Sequence, residues 1–469
     1  MFNQMKTRYF LIAATALLII ASCKVSQHYS RPSVNAANLY RDSSATDTNS
    51  IAALPWRSLF ADTVLQNLIQ EGINNNLNLK TAILKIAEAN ATLKEAKAAY
   101  FPTLSAGATV TKAKSSQAAQ SFPAGLGIDL NTTTYQADLS ASWTLNVWGQ
   151  LSSLKRQAIA QFLESDASKR AVQTALVASI ANDYYTLLSY DQQLAITQQT
   201  VKNDIQDVET NKSLLKADVV TGAAVVQSEA NRYAAEITMP DLEANIRATE
   251  NALSILLGRG PGPIKRLTMA EQIPVETLNA GVSTLLLKNR PDIQQSEFAF
   301  MAAFENTNVA HSYFYPTLTI TAEGGLSTLQ LKDLFNNSIF YNLVGGLTQP
   351  IFNQGQNKAR YRIAKAQQLE AFNTYQQSIL TAGQQVANDL FSYKQAIKKA
   401  GLRKKELDAL EKSVDYTKQL LTYSSATNYT DVLTSEQNLL AAQLAGVNDK
   451  LQQLQAIVNL YTDLGGGWK

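Results

Sequence analysis

Histidine occurs twice and cysteine once in this 469-residue chain. So sparse a supply argues against a histidine-based triad, a mixed Cys/His zinc site or a disulfide framework. Charge is scarce as well. Asp, Glu, Lys and Arg make up 17% of the residues, against roughly 25% in average globular proteins. The 41 basic and 38 acidic residues nearly cancel, to +3, which removes the electrostatic case for nucleic acid as a partner. Beyond the N-terminus no stretch approaches ~18 consecutive apolar residues, so no transmembrane helix is expected in the mature chain. What is present is an apolar fraction of 45%, ample for folding.

The N-terminus reads as an address label. Lys6 and Arg8 precede an apolar stretch from Tyr9 to Ile20. That is shorter than the ~20 residues a spanning helix needs, but it suits a signal-peptide core. It ends in Ile20-Ala21-Ser22-Cys23, small residues before the lone cysteine, which is similar to a bacterial lipobox. Residues 1–22 are then a signal peptide, and Cys23 is the lipidation site. Each buried acyl methylene contributes ~0.8 kcal/mol, so several chains anchor firmly. The plainer reading is a secretory signal with an incidental cysteine. Lys24 rather than Asp follows, favouring the outer membrane, and residues 23–61 read as a lipidated tether.

An internal repeat organises the rest. Tyr100-Phe101-Pro102-Thr103-Leu104 returns as Phe314-Tyr315-Pro316-Thr317-Leu318, and Ala181-Asn182-Asp183 returns as Ala387-Asn388-Asp389. Ser228-Glu229 matches Ser435-Glu436, and Leu257-Gly258 matches Leu464-Gly465. The series is colinear and predicts two copies, 62–262 and 263–468. Each copy is expected to hold a helix (about 78–99, then 292–313), two strands, a very long helix (about 153–217, then 359–424) and a returning helix (about 224–257, then 430–464).

The strands alternate with period two. From 135 to 147, Tyr135, Ala137, Leu139, Ala141, Trp143, Leu145 and Val147 share one face. Gln136, Asp138, Ser140 and Ser142 share the other, as do Thr317, Thr319, Thr321 and Glu323 in the second copy. These eight are the candidate lining of a barrel lumen. Runs at 103–111 and 341–348 alternate more weakly. Half of a soluble sandwich fits the same alternation. If the strands lie in lipid, open edges are not tolerated and bacterial barrels start at about eight strands, so four per chain require an oligomer.

The helices carry a 3/4 seam. Leu440, Leu444, Val447, Leu451, Leu454, Val458 and Tyr461 show knobs-into-holes spacing. A helix of about 60 residues is ~90 Å long. A solid bundle and a hollow wall fit this pattern equally.

Several motifs resemble the TolC-type outer-membrane efflux family in its lipoprotein branch with OprM and NodT. Leu286-Leu287-Lys288-Asn289-Arg290-Pro291-Asp292-Ile293 is similar to its Leu-x-x-Arg-Pro-Asp-Ile. Trp143 to Gly149 is similar to Trp-Glu-x-Asp-Leu-Phe-Gly, with Thr144 and Asn146 in place of the acids. Gln349 to Gly355 is similar to Gln-Pro-Ile-Phe-Asp-Gly-Gly, departing at Asn353 and Gln354, and Leu460 to Trp468 is similar to the family's Leu-Tyr-Lys-Ala-Leu-Gly-Gly-Gly-Trp end.

The resemblance implies a mostly α protein with membrane β: a homotrimer with a twelve-stranded barrel, four strands per protomer, continuous with a long periplasmic helical barrel. It implies a periplasmic adaptor, an inner-membrane RND-type transporter and outer-membrane lipid as partners, with no catalytic residue, cofactor or metal. It also places a periplasmic aperture where the paired helices turn, near Asp218 and Asp431, with Thr434 where some members carry a second acid. Three copies of Asp431 would make an acidic ring favouring cations; an ordinary Asp near a helix start is the plainer reading.

Other motifs are weak. Gly258 to Pro263 is glycine-rich but lacks the Lys-Ser/Thr and following helix of a phosphate cradle. His28 and His311 are far apart in sequence, without a nearby Cys ligand. The reading is a passive export duct. A type I secretion or heavy-metal duct, with five Met and two His weakly disfavouring copper or silver, and a periplasmic coiled-coil scaffold lipoprotein are the alternatives.

Overall fold

A computed structural model describes residues 25–34, 39–40, 50–116, 130–274, 281, 283–423 and 429–469. The signal segment and Cys23 lie outside the described residues. The chain opens with α1 (Trp56–Leu59) and α2 (Thr63–Asn75). The first repeat then runs α3 (Leu77–Ala98), β1 (Thr103–Lys114), β2 (Asn131–Thr144), α4 (Gln150–Lys216) and α5 (Gly222–Leu256). After a short α6 (Leu286–Asn289), the second runs α7 (Pro291–Ser312), β3 (Thr317–Thr328), β4 (Ile339–Thr348), α8 (Gln356–Tyr423) and α9 (Tyr429–Asp463). Corresponding helices have near-identical lengths: 22 and 22, 67 and 68, 35 and 35 residues. Each expected element is there, its ends within a few residues. Among the described residues no helix is long and apolar enough to cross a membrane.

The chain forms two compact units, and each draws on both repeats. Of the described residues, one gathers those within 25–33, 87–164 and 297–374, and the other those within 34–86, 165–296 and 375–469.

The first unit holds a four-stranded antiparallel sheet in the order β1-β2-β3-β4. Gly107 pairs with Asp138, Ser140 with Glu323, and Ala322 with Leu343. One expectation needs correction. The assigned strand ends at Thr144, the Leu145 N–H makes a last bond to the Leu318 carbonyl at 2.9 Å, and Val147 leaves the strand face. The Asn146 side chain accepts from the Leu151 N–H at 2.8 Å, starting α4 instead. Gly149 adopts φ +79° in that corner, and Trp148 stacks on Tyr315 at 5.3 Å.

The tether is docked in the same unit. Glu297, Phe300, Phe304, Asn308 and His311 recur at helical three- and four-residue spacing along α7. Arg31 ion-pairs with Glu297, and Tyr29 sits edge-on to Phe300 and Phe304. Asn308 accepts from the Gln27 N–H at 3.1 Å and donates to its carbonyl at 2.9 Å. His311 Nδ1 lies 3.3 Å from the Val25 carbonyl. The tether therefore runs antiparallel to α7, with Val25 at the end that leads into β3. Beneath it Glu305, fully buried, is held by Arg156 at 2.7 and 2.9 Å and by Asn308 at 3.0 Å.

In the second unit the duplication is visible at the level of single hydrogen bonds. Asn76, just ahead of α3, donates from Nδ2 to the carbonyl of Leu256, the last residue of α5, at 2.9 Å. Arg290, just ahead of α7, donates from Nη1 to the carbonyl of Asp463, the last residue of α9, at 2.9 Å. Behind each clamp is a glycine with positive φ, Gly258 (+71°) and Gly465 (+96°). A Cβ on either would lie 2.5 Å from the backbone of Asn75 or Asn289, so only glycine lets the two segments approach.

The second clamp is ionic. Arg290 is 7% exposed, chelates Asp292 at 3.0 and 2.6 Å and reaches Gln385 at 2.8 Å. Asp389 lies beside Asp463; burial first, and the shared proton second, push its carboxyl up to about 8.

Candidate functional site

Two places carry the residues singled out from the sequence. The first is the sheet. Its register puts Gln136, Asp138, Ser140, Ser142, Thr317, Thr319, Thr321 and Glu323 on one face. Gln136 Nε2 bridges Asp138 at 3.3 Å and Glu323 at 3.0 Å, and the Ser105 and Ser140 hydroxyls meet at 2.7 Å. In β4 the pattern weakens, because Phe340 and Val344 share this face with Asn342. The opposite face carries Leu104, Val110, Leu139, Leu343 and Leu347, all exposed, with Leu104 at 73% and Leu343 at 71%. A soluble sandwich would bury that face against a second layer. Here, among the described residues, it is bare, and no strand pairs with the outer edge of β1 or β4.

The second place is the pair of helix turns. Asp218 ends α4 in the left-handed region, φ +57°. Its N–H donates to Leu215 at 3.1 Å and that of Val219 to Leu214 at 2.9 Å, so a terminating turn accounts for it. Asp431 is exposed in the first turn of α9, where the helix dipole favours a negative charge. Thr434 is exposed and donates its hydroxyl to the Thr430 carbonyl at 2.8 Å.

Sequence reasoning missed a charged cluster a few turns above. Lys418 of α8 pairs with Glu436 of α9 at 2.5 Å. The first repeat has the same bridge, Lys212 to Glu229 at 3.2 Å, with Ser228 and Ser435 each donating to the carbonyl three residues back at 2.8 Å. Only the second bridge is joined by Asp204 and Asp207 of α4. Burial, then the Glu436 charge, push both carboxyls up to about 6, with Lys418 opposing.

A carboxyl with a raised folded pKa binds its proton more tightly folded than unfolded. Stability therefore falls as pH rises through the window from about 4 to about 6. Shifting from pH 7 to pH 5 is expected to raise the protection factors of residues 200–216 and 429–440, taken against the intrinsic exchange rate at each pH, and Asp207→Asn is expected to bring the higher protection to pH 7. Protection factors that are unchanged or lower at pH 5 would contradict this.

A family model described as "Outer membrane efflux protein" matches residues 68–259 and 282–466, once per repeat. The chain belongs to the outer membrane efflux protein family. Relatives of this family match along nearly the whole length. The probable outer membrane lipoprotein SilC of Salmonella typhimurium is 29% identical over 98% of this chain and 98% of its own. The toluene efflux pump outer membrane protein TtgC of Pseudomonas putida is 28% identical, covering 98% and 96%. Among solved structures, CusC superposes with a TM-score of 0.84 at 26% identity, covering 95% of this chain and 100% of that one. The open-state MtrE outer membrane channel of Neisseria gonorrhoeae gives 0.84 at 25%, covering 95% and 99%. Of the residues in the motifs quoted above, Arg290 binds the Asp463 carbonyl in the clamp, and Asn146 accepts from the Leu151 N–H at the start of α4.

Proposed function

We propose that this chain is the outer-membrane channel of a tripartite efflux pump, a passive duct for small molecules that performs no chemistry itself. One observation carries the reading: a four-stranded sheet with a bare apolar face and two open edges. Neither feature is tolerable alone in lipid. Three copies would join β4 of one to β1 of the next and close twelve strands, with the apolar face to lipid and Gln136, Asp138 and Glu323 to the lumen. The long helices would continue the wall into the periplasm, towards an adaptor and an inner-membrane RND-type transporter that supplies the energy. Relatives of equal coverage are named for cation efflux and for solvent or antibiotic efflux, so selection of cargo is assigned to the inner-membrane partner.

The docked tether supports lipid anchoring. It brings Val25 to the strand end of α7, two residues after Cys23, and Cys23→Ala is expected to abolish palmitate incorporation. Heat-resistant trimers in outer-membrane extracts and conductance in planar bilayers are the expected results for the duct. A soluble, non-conducting monomer would favour the scaffold instead. In the same bilayers Asp431→Asn is expected to lower cation selectivity, read as a shift in reversal potential. An unchanged potential would remove Asp431 from the aperture.

A further inference from the structure

Between Asp333 and Glu370 the chain has no acidic residue, yet it carries Lys358, Arg360, Arg362 and Lys365. All four lie in the first three turns of α8 and are exposed. Cations there oppose the helix dipole, and an external anion would offset that cost. Lys358, Arg362 and Lys365 follow i, i+4, i+7 spacing and share one helix face. Arg360 points elsewhere, its guanidinium 4.1 Å over the Tyr313 ring. Among the described residues none of the three is paired with a carboxylate; Lys365 reaches only Gln368, at 3.5 Å.

Two neighbours orient this stripe. Lys365 lines a cavity of about 150 Å³ together with Val25 and Gln27 of the tether, His311 and Tyr361. On the function proposed above the tether leads to a lipidated Cys23, which would turn its side of the unit towards the membrane rather than the lumen. Just ahead of α8, after β4, Ile351 and Phe352 stand fully out, Phe352 at 85%. Apolar residues at a strand end followed by a row of cations is the order met on passing from hydrocarbon to headgroups.

We propose that Lys358, Arg362 and Lys365 form a headgroup site that holds anionic phospholipid of the inner leaflet against the base of the barrel. The site rests on the membrane reading above. Phosphate oxygens complement the three cations, and each cation near an anionic surface contributes on the order of a fivefold gain in binding.

The test uses the full lipidated protein in nanodiscs of phosphatidylethanolamine with or without phosphatidylglycerol, with native mass spectrometry counting lipids retained on release. Wild type is expected to retain phosphatidylglycerol preferentially. The triple variant Lys358→Gln/Arg362→Gln/Lys365→Gln is expected to lose at least about tenfold of that preference, and Lys358→Arg/Lys365→Arg is expected to keep it. A triple variant that conducts normally and retains phosphatidylglycerol like wild type overturns the site. So does a preference for phosphatidylethanolamine, while conductance leaves the duct reading standing. Failure of wild type to insert overturns both.

Discussion

Leu343→Arg is expected to destabilise the folded, membrane-inserted protein by about 2–4 kcal/mol, the range for a cation facing lipid near the bilayer midplane. Leu343 lies at the middle of β4, opposite Ala322, and its side chain is bare in the chain. Its neighbour Asn342 projects to the other face, opposite Glu323. Asn342→Arg is therefore the matched control, expected to fold and to change ion selectivity only. Folding into lipid vesicles, followed by heat-modifiable gel mobility, reads both. Equal tolerance of the two substitutions would mean that the face assignment, and with it the barrel, is wrong.

Arg290→Met is expected to cost about 3–5 kcal/mol, the penalty for removing one partner of a buried ionic network. The guanidinium satisfies Asp292, Gln385, the Asp463 carbonyl and, at 3.7 Å, the Asp463 carboxylate. Without it, Asp463 and Asp389 face each other with no cation between them. The deficit should therefore shrink on acidification, as the pair takes up protons. Arg290→Lys is expected to rescue only part, since an ammonium cannot chelate Asp292 through two nitrogens. Urea denaturation of the detergent-solubilised protein, followed at several pH values, checks the size and the pH trend together.

Much of the architecture was legible in the residues. Period-two alternation marked β2 and β3, because in a sheet with unlike surroundings on its two faces the side chain's direction decides its chemistry. The colinear repeats marked the duplication, and helix lengths followed from it. Where alternation ran on past the strand, at Leu145 and Val147, the Asn146 cap and the Gly149 turn won over periodicity. The charged cluster stayed hidden for a different reason. Ser435-Glu436 was visible as a repeat mark, and the offset that carries Ala181 to Ala387 also carries Lys212 to Lys418. Asp204 and Asp207 have no such mark, because they come from the other repeat's helix and are brought in only by packing.

The duplication is faithful in form and unequal in chemistry. Each hairpin has its lysine–glutamate bridge; the one at Lys212 also takes Glu209 of its own helix at 3.3 Å, whereas the one at Lys418 and Glu436 is joined by Asp204 and Asp207, whose carboxyls burial pushes up to about 6. In a ring of three copies, each chain would carry one acid-responsive seam, where α4 of one hairpin meets α8 and α9 of the other. Acid would then tighten three seams around the rim, and a rim that looks sixfold would answer with threefold symmetry.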